Sequence, residues 1–358
     1  MSLDERARRA AAGVRRAIQE REAGSSLDPL GRFDVRRDRA ERRQRLAAGV
    51  VGVSVAVLAI VFALRALTPA RTGAPATESL SAGRVLVGEA DPRTDTSHWY
   101  TVGTDGGHRT DLGIDASCAD WFPDGRRILV TDDASGFPLR PAVVSPEGSL
   151  IARLGATRDP GLNLGCGDVS PDGSRLVLEG FNDADAARRN GIYSVSATDG
   201  GDLLRLTKGF DGYPRYSPDG SEVVFLRTKT GVAPEGAGAL FVVGADGTGL
   251  RRITPWGAAF LQQDWSPDGD WIVFQRPYGE LFVVHPDGTD LHRVPLALPA
   301  GAGARQPTWS PDGDWIAFSV HQDRAATIYV VHLDGTDLQR VTAPDGEEQT
   351  SPDWTSSG

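Results

Sequence analysis

The chain of 358 residues is 40% hydrophobic, enough to bury a full core, so it is not disordered as a whole. Its net charge of −10 is uneven: residues 1–45 hold 13 Arg against 8 Asp or Glu, a balance of +5, which leaves −15 for the remainder. An acidic body argues against nucleic acid as a partner, because phosphate contacts need Lys and Arg, and 43 Gly with 23 Pro favour tight turns and an all-β fold.

Residues 1–45 read as a basic tail, helical in its first part. Leu3, Val14 and Ile18 give a narrow apolar stripe, and Asp28-Pro29 and Gly31 break the pattern. Two roles stay open for it: a topogenic tail whose arginines meet anionic lipid, and a docking helix for a cytoplasmic protein. Leu46 to Leu64 then runs for 19 residues without a charge. At about 1.5 Å per residue this nearly crosses the ~30 Å hydrocarbon core, and Ala66 and Leu67 extend it if Arg65 snorkels. We read 46–67 as one transmembrane helix. Arg36, Arg37, Arg39, Arg42, Arg43 and Arg45 precede it and only Arg65 and Arg71 follow, so the N-terminus is expected in the cytoplasm and the remainder outside. Residues 68–82, small, polar and Pro-containing, read as a flexible linker.

From residue 83 the sequence repeats. Pro-Asp-Gly occurs at 123–125, 171–173, 218–220, 267–269 and 311–313, with steps of 48, 47, 49 and 44 residues between the glycines. Four copies follow a Ser, and each is followed by an alternating apolar run such as RLVLE or WIVFQ. A second run then reaches another acidic-Gly turn, as in LFVVHPDGTD, before a short last strand. Ser-Pro-Asp-Gly supplies the residues a tight turn requires, and Asp-Gly-Thr closes a second hairpin. Each unit is therefore a four-stranded antiparallel meander of 44 to 49 residues. One such sheet cannot bury both faces alone, whereas radial stacking can. Residues 83–358 give six units, and the segment 349–355 has no unit of its own. It is expected to close the ring by pairing with residues 84–112, making a six-bladed β-propeller.

The WSPDG-plus-strand unit resembles the WD-like repeat of the TolB family of bacterial propellers over roughly residues 83–358. That resemblance implies a six-bladed propeller that contacts proteins, or one fused to a peptidase.

In such a blade the Ser-Pro-Asp-Gly and Asp-Gly-Thr turns share one face, and the longer, dissimilar connections share the other. Variable loops on a rigid scaffold are the usual binding surface. Phe137, Phe181, Phe210, Tyr213, Trp256 and Phe260 are the candidates there, against the plainer role of covering strand ends. Asp120, Asp168, Asp264 and Asp353 share one repeat position with Arg215 and Thr308, near the axis. They either bond neighbouring backbone amides or form an oxygen ring able to hold calcium. Cys118 and Cys166 occupy equivalent positions of adjacent units, which makes a disulfide geometrically plausible; without clustered His they do not read as zinc ligands.

No Gly-x-Ser-x-Gly elbow, His-Glu-x-x-His or Walker loop is present. The expectation is a non-enzymatic extracytoplasmic binding propeller, sensor or envelope scaffold, tethered to the cell membrane and recognising a protein or envelope ligand. The rival is a propeller lyase or hydrolase acting on envelope polysaccharide or peptide.

Overall fold

A computed structural model describes residues 83–90, 96–131, 139–155, 159, 161–182, 185–229, 238–322, 325–343 and 348–356. The basic tail, the predicted span and the linker lie outside these residues. Among the described residues no helix is long and apolar enough to cross a membrane.

The described residues form six four-stranded antiparallel sheets. Blade 1 contains β1 (Gly83–Ala90), β2 (Ser97–Gly103) and β3 (Thr110–Ala116), and blade 2 contains β4 (Ala119–Trp121), β5 (Ile128–Thr131), β6 (Pro141–Val144) and β7 (Leu150–Arg153). Blade 3 comprises β8 (Asn163–Val169), β9 (Arg175–Phe181), β10 (Gly191–Ser196) and β11 (Leu204–Arg205), with a one-turn helix α1 (Ala186–Arg189) between β9 and β10. Blade 4 has β12 (Phe210–Tyr216), β13 (Glu222–Thr228), β14 (Ala239–Gly244) and β15 (Arg251–Arg252). Blade 5 has β16 (Gln263–Trp265), β17 (Ile272–Arg276), β18 (Glu280–Val284) and β19 (His292–Arg293). Blade 6 has β20 (Gly303–Trp309), β21 (Ile316–Gln322), β22 (Ala325–Val331) and β23 (Gln339–Arg340). The last strand, β24 (Gln349–Ser356), returns to pair with β1, from Gly83↔Ser356 to Glu89↔Gln349, and becomes the inner strand of blade 1. The ring closes on the segment that the repeat left over.

The turn chemistry explains the regularity. In every Pro-Asp-Gly turn the glycine N–H donates to the carbonyl three residues back, as from Gly173 to Ser170 at 2.7 Å and from Gly220 to Ser217 at 2.8 Å. The five glycines hold φ between +63° and +78°, which a side chain would resist. Asp172 accepts from Ser170 Oγ at 2.6 Å and from the Ser174 amide at 2.9 Å, so the turn aspartates are spent on local bonds.

Strand alternation sends neighbouring residues to opposite seams. Val223 joins a cluster with Val177 and Ile192 of blade 3, and Val224 joins one with Trp265 and Ile272 of blade 5. Six apolar clusters result, one at each junction between consecutive blades. The core is thus distributed around the ring, and polar residues occupy the axis.

Candidate functional site

Each inner strand presents one residue at the same level of the axis: Asp353, Asp120, Asp168, Arg215, Asp264 and Thr308 for blades 1 to 6. Arg215 Nη1 donates to Asp120 Oδ1 and lies 3.6 Å from Asp168 Oδ1. Three aspartates also reach into the next blade. Asp353 Oδ2 accepts from the Trp121 amide at 2.6 Å, Asp168 Oδ2 from the Tyr216 amide at 2.7 Å, and Asp264 Oδ2 from the Trp309 amide at 2.8 Å. Thr308 Oγ1 donates to the same Asp264 oxygen at 2.9 Å.

Four carboxylates around one guanidinium leave excess negative charge in a desolvated place. Burial raises Asp264 and Asp353 to about 6, against the pull of Arg215. Asp120 is pushed up by burial and by Asp353 and Asp168, with Arg215 opposing. Burial would lower Arg215, and the carboxylates around it more than reverse that. Among the described residues no group of three or more His, Cys, Asp or Glu is arranged to hold a metal. At the ring, Asp353, Asp168 and Asp264 each bond a backbone amide of the next blade and Asp120 bonds Arg215, which is the structural one of the two readings left open for these positions.

A cavity of about 440 Å³ opens above the ring on the face of the short turns. Asp168, Asp264, Asp353 and Thr308 line it at the ring, Trp121, Trp265, Trp309 and Trp354 around the wall, and the turn prolines at the rim. A second groove of about 480 Å³ shares Pro218, Trp265 and Pro267 with it and lies between the Ser-Pro-Asp-Gly turns of blades 4 and 5. Sequence reasoning placed binding on the opposite, long-loop face. Trp and Pro of the repeat read there as core and turn, and only closure of the ring brings the copies around one opening.

Away from the short turns, the inner strands bulge. Register shifts occur in β8, β12, β20 and against β24, and Tyr213, Gln306 and Ser351 take φ near +50°. Bulges turn backbone amides aside from the ladder, and neighbouring side chains collect them. From the second strand of blade 5, Gln275 Oε1 accepts from the Gln306 amide at 3.2 Å, and from the inner strand of blade 6, Gln306 Oε1 accepts from the Ser351 amide at 3.1 Å. The residue of blade 3 equivalent to Gln275 is Glu179, at which the amides of Tyr213 and Cys166 are aimed. Its two oxygens fit because Gly165 and Gly212 face them; a Cβ on either would come within 2.8 Å. Burial raises Glu179 to about 7. Sequence reading missed it, since RLVLEGF looks like an alternating strand; the facing glycines were the available signal. Cys118, just before β4, and Cys166 of β8 form a disulfide, with Cα atoms 5.7 Å apart.

The five described aromatic candidates occupy different settings, and none of them lines the cavity. Phe137 lies outside the described residues. Phe210 is 37% exposed. Tyr213 packs on the core between blades 4 and 5, and burial raises its phenol to about 12. Trp256 packs on Phe241 with centroids 5.8 Å apart, and Phe181 is half-buried near Gly165. The Phe260 amide donates to Gln275 O at 2.9 Å.

Ser319, His321 and Glu348 have the outline of a hydrolytic triad: Ser319 Oγ is 3.0 Å from His321 Nε2, and His321 Nδ1 is 3.4 Å from Glu348 Oε1. Ser319 has no exposed surface, and its hydroxyl also meets Arg305 O at 3.1 Å and Gln306 Oε1 at 3.0 Å. A nucleophile sealed in this way does not meet a substrate, so we read the trio as structural.

Residues 152–358 match the family described as TolB beta propeller domain, PD40. No curated protein matches the chain. Among solved structures, TolB from Acinetobacter baumannii superposes with a TM-score of 0.59 at 19% identity, covering 76% of this chain and 66% of that one. The chain thus spans just under two thirds of that protein. A putative TolB from Agrobacterium tumefaciens gives a TM-score of 0.54 at 18% identity, over 74% and 89%. A chain of a nidogen/laminin complex gives 0.55 at 8% identity, over 76% and 98%, a likeness of fold alone. The family match, residues 152–358, spans more than half of the chain and covers blades 3 to 6 with the closing strand, and the chain belongs to the TolB β-propeller family.

Proposed function

We propose that this propeller binds a partner protein at the short-turn mouth of its channel and does no chemistry there. The observation that carries this reading is the 440 Å³ cavity, walled by tryptophan and proline and lined at its base by carboxylates that outnumber their arginine. Such a site suits a basic side chain: the ring supplies charge, the indoles supply apolar and cation–π contact, and little solvent screens either. The groove between blades 4 and 5 offers room for the chain that carries it.

We further propose that the propeller is held outside the cell by the span at 46–67, with residues 1–45 in the cytoplasm. A partner on each side would make the protein a transmembrane sensor, and one outside alone an envelope scaffold. The test is photo-crosslinking of the full chain from a probe amino acid at Pro267, in cells, with and without Asp264→Asn plus Asp353→Asn. Capture of a discrete protein that the double substitution abolishes supports the reading. Unchanged capture overturns it, as does turnover of envelope polysaccharide or peptide that depends on the same aspartates.

A further inference from the structure

Both lysines of this arginine-rich chain fall at the long-loop end of blade 4, on the face opposite the cavity. Lys208 precedes β12 and Lys229 follows β13, beside the pairing of Phe210 with Thr228, and both are exposed. Lys229 Nζ lies 5.0 Å from the Trp256 ring centroid, and Arg252 Cζ lies 6.0 Å from it. Trp256 rests on Phe241, which Arg227 approaches to 4.9 Å. Arg227 is neutralised: its Nε and Nη2 donate to Asp211, at 2.6 Å each, and the Asp211 side chain is fully buried. Among the described residues Lys208, Lys229 and Arg252 make no ion pair. Phe210, 37% exposed, sits beside them.

This patch inverts the sign of the molecule. Beyond residue 45 the chain carries −15, so a cluster of unpaired cations stands out against a repelling field. Contact with Trp256 holds Lys229 and Arg252 before any ligand arrives, which reduces the ordering cost of binding. Trp is also the residue type most often dominant in protein interfaces.

We infer that the surface formed by Lys208, Phe210, Lys229, Arg252 and Trp256 docks an acidic segment of a partner protein that also carries an aromatic or aliphatic side chain. Carboxylates meet the three cations, and the apolar residue covers Phe210 and the open edge of Trp256. A bilayer is the weaker match, because membrane-binding basic patches gather about four to eight Lys or Arg, and among the described residues only three cations without an ion pair gather here. This surface is independent of the channel mouth: one takes anions and the other a cation.

The test is fluorescence anisotropy of the full chain with a labelled glutamate–phenylalanine peptide in low salt. Saturable binding is expected, weakening as salt rises. Lys229→Glu with Arg252→Glu should weaken it by at least about tenfold, Trp256→Ala should weaken it as well, and Lys229→Arg with Arg252→Lys should retain it. Asp264→Asn, in the channel, should leave it unchanged, which separates failure of this inference from failure of the channel reading. Absence of binding in low salt, equal binding by the charge-reversed protein, or equal capture of phosphatidylglycerol vesicles through the same residues overturns the inference.

Discussion

Glu179 makes the stability of the ring depend on pH in a direction that can be worked out in advance. Burial raises its carboxyl from the ordinary 4.5 to about 7. A group raised in the folded state contributes stability that is fully present below its unfolded value, near 4.5, and lost as pH climbs through 7. The shift corresponds to about 2 to 3 kcal/mol, allowing for the part of the residue that stays accessible. Glu179→Gln keeps an acceptor for one of the two amides and removes the ionisation. It gives up at most about 1 kcal/mol of hydrogen bonding.

The variant should therefore be as stable as the parent, or slightly less stable, at pH 5. At pH 8 it should be more stable by about 1 to 2 kcal/mol, the ionisation penalty less the lost bond. Guanidinium unfolding followed by the fluorescence of the 8 tryptophans, at both pH values for both proteins, reads the difference directly. Asp264 and Asp353 titrate in the same direction, so the parent alone does not isolate Glu179; the difference between parent and variant does. The same stability difference at pH 5 and pH 8 would refute the claim that Glu179 is held protonated by burial.

Three other outcomes follow from the same geometry. His321 is lowered to about 4 by burial and Arg305, which outweigh the half-exposed Glu348 beside it; its stabilising term is present above 6.5 and lost as pH falls toward 4, so His321→Gln should raise the melting temperature at pH 4.5 and change it little at pH 8. Reducing Cys118–Cys166 opens a loop of 48 residues, for which chain entropy gives a loss of about 4 kcal/mol, and a lower melting temperature with reductant, absent in Cys118→Ala/Cys166→Ala, checks it. Deleting 349–358 removes the inner strand of blade 1 and buried Trp354, whose loss alone costs about 3 to 5 kcal/mol; the truncated chain should lose its cooperative transition, and an unchanged melt would count against ring closure.

The fold was legible because its determinants are local and repeated. Ser-Pro-Asp-Gly fixes one hairpin and Asp-Gly-Thr another, alternation sets which residues go to which seam, and a segment at 349–355 left without a unit of its own pointed to the closing strand, which pairs with β1. The ring positions were legible for the same reason. The bulges were not, because Tyr213, Gln306 and Ser351 adopt positive φ without being glycine, and nothing in a strand pattern marks them. Glu179 was hidden behind those bulges. The cavity was hidden too, since a tryptophan in WSPDG reads equally as core, and its position at a common opening is a property of six copies together.

The axis also explains why the seams are held by different chemistry. The odd blades carry Asp353, Asp168 and Asp264, and each clamps an amide of the following blade. The even blades have no such acceptor to give. Asp120 is taken by Arg215, Arg215 has only donors, and Thr308 donates back to Asp264. Each even-to-odd seam is therefore secured one layer away from the ring. Blades 2 and 3 are joined by the disulfide, blades 4 and 5 by Gln263 Nε2 donating to Tyr213 O, and blades 6 and 1 by Gln306 Nε2 donating to Ser351 Oγ at 3.0 Å. At the seam between blades 4 and 5 the ring itself contributes only the Arg215 carbonyl, which the Trp265 indole meets at 3.3 Å. That is also the seam where the second groove meets the cavity. Placing arginine at this one position neutralises part of the carboxylate ring and leaves the adjoining junction without an aspartate clamp, so the same substitution shapes both the charge of the proposed site and the direction in which it extends.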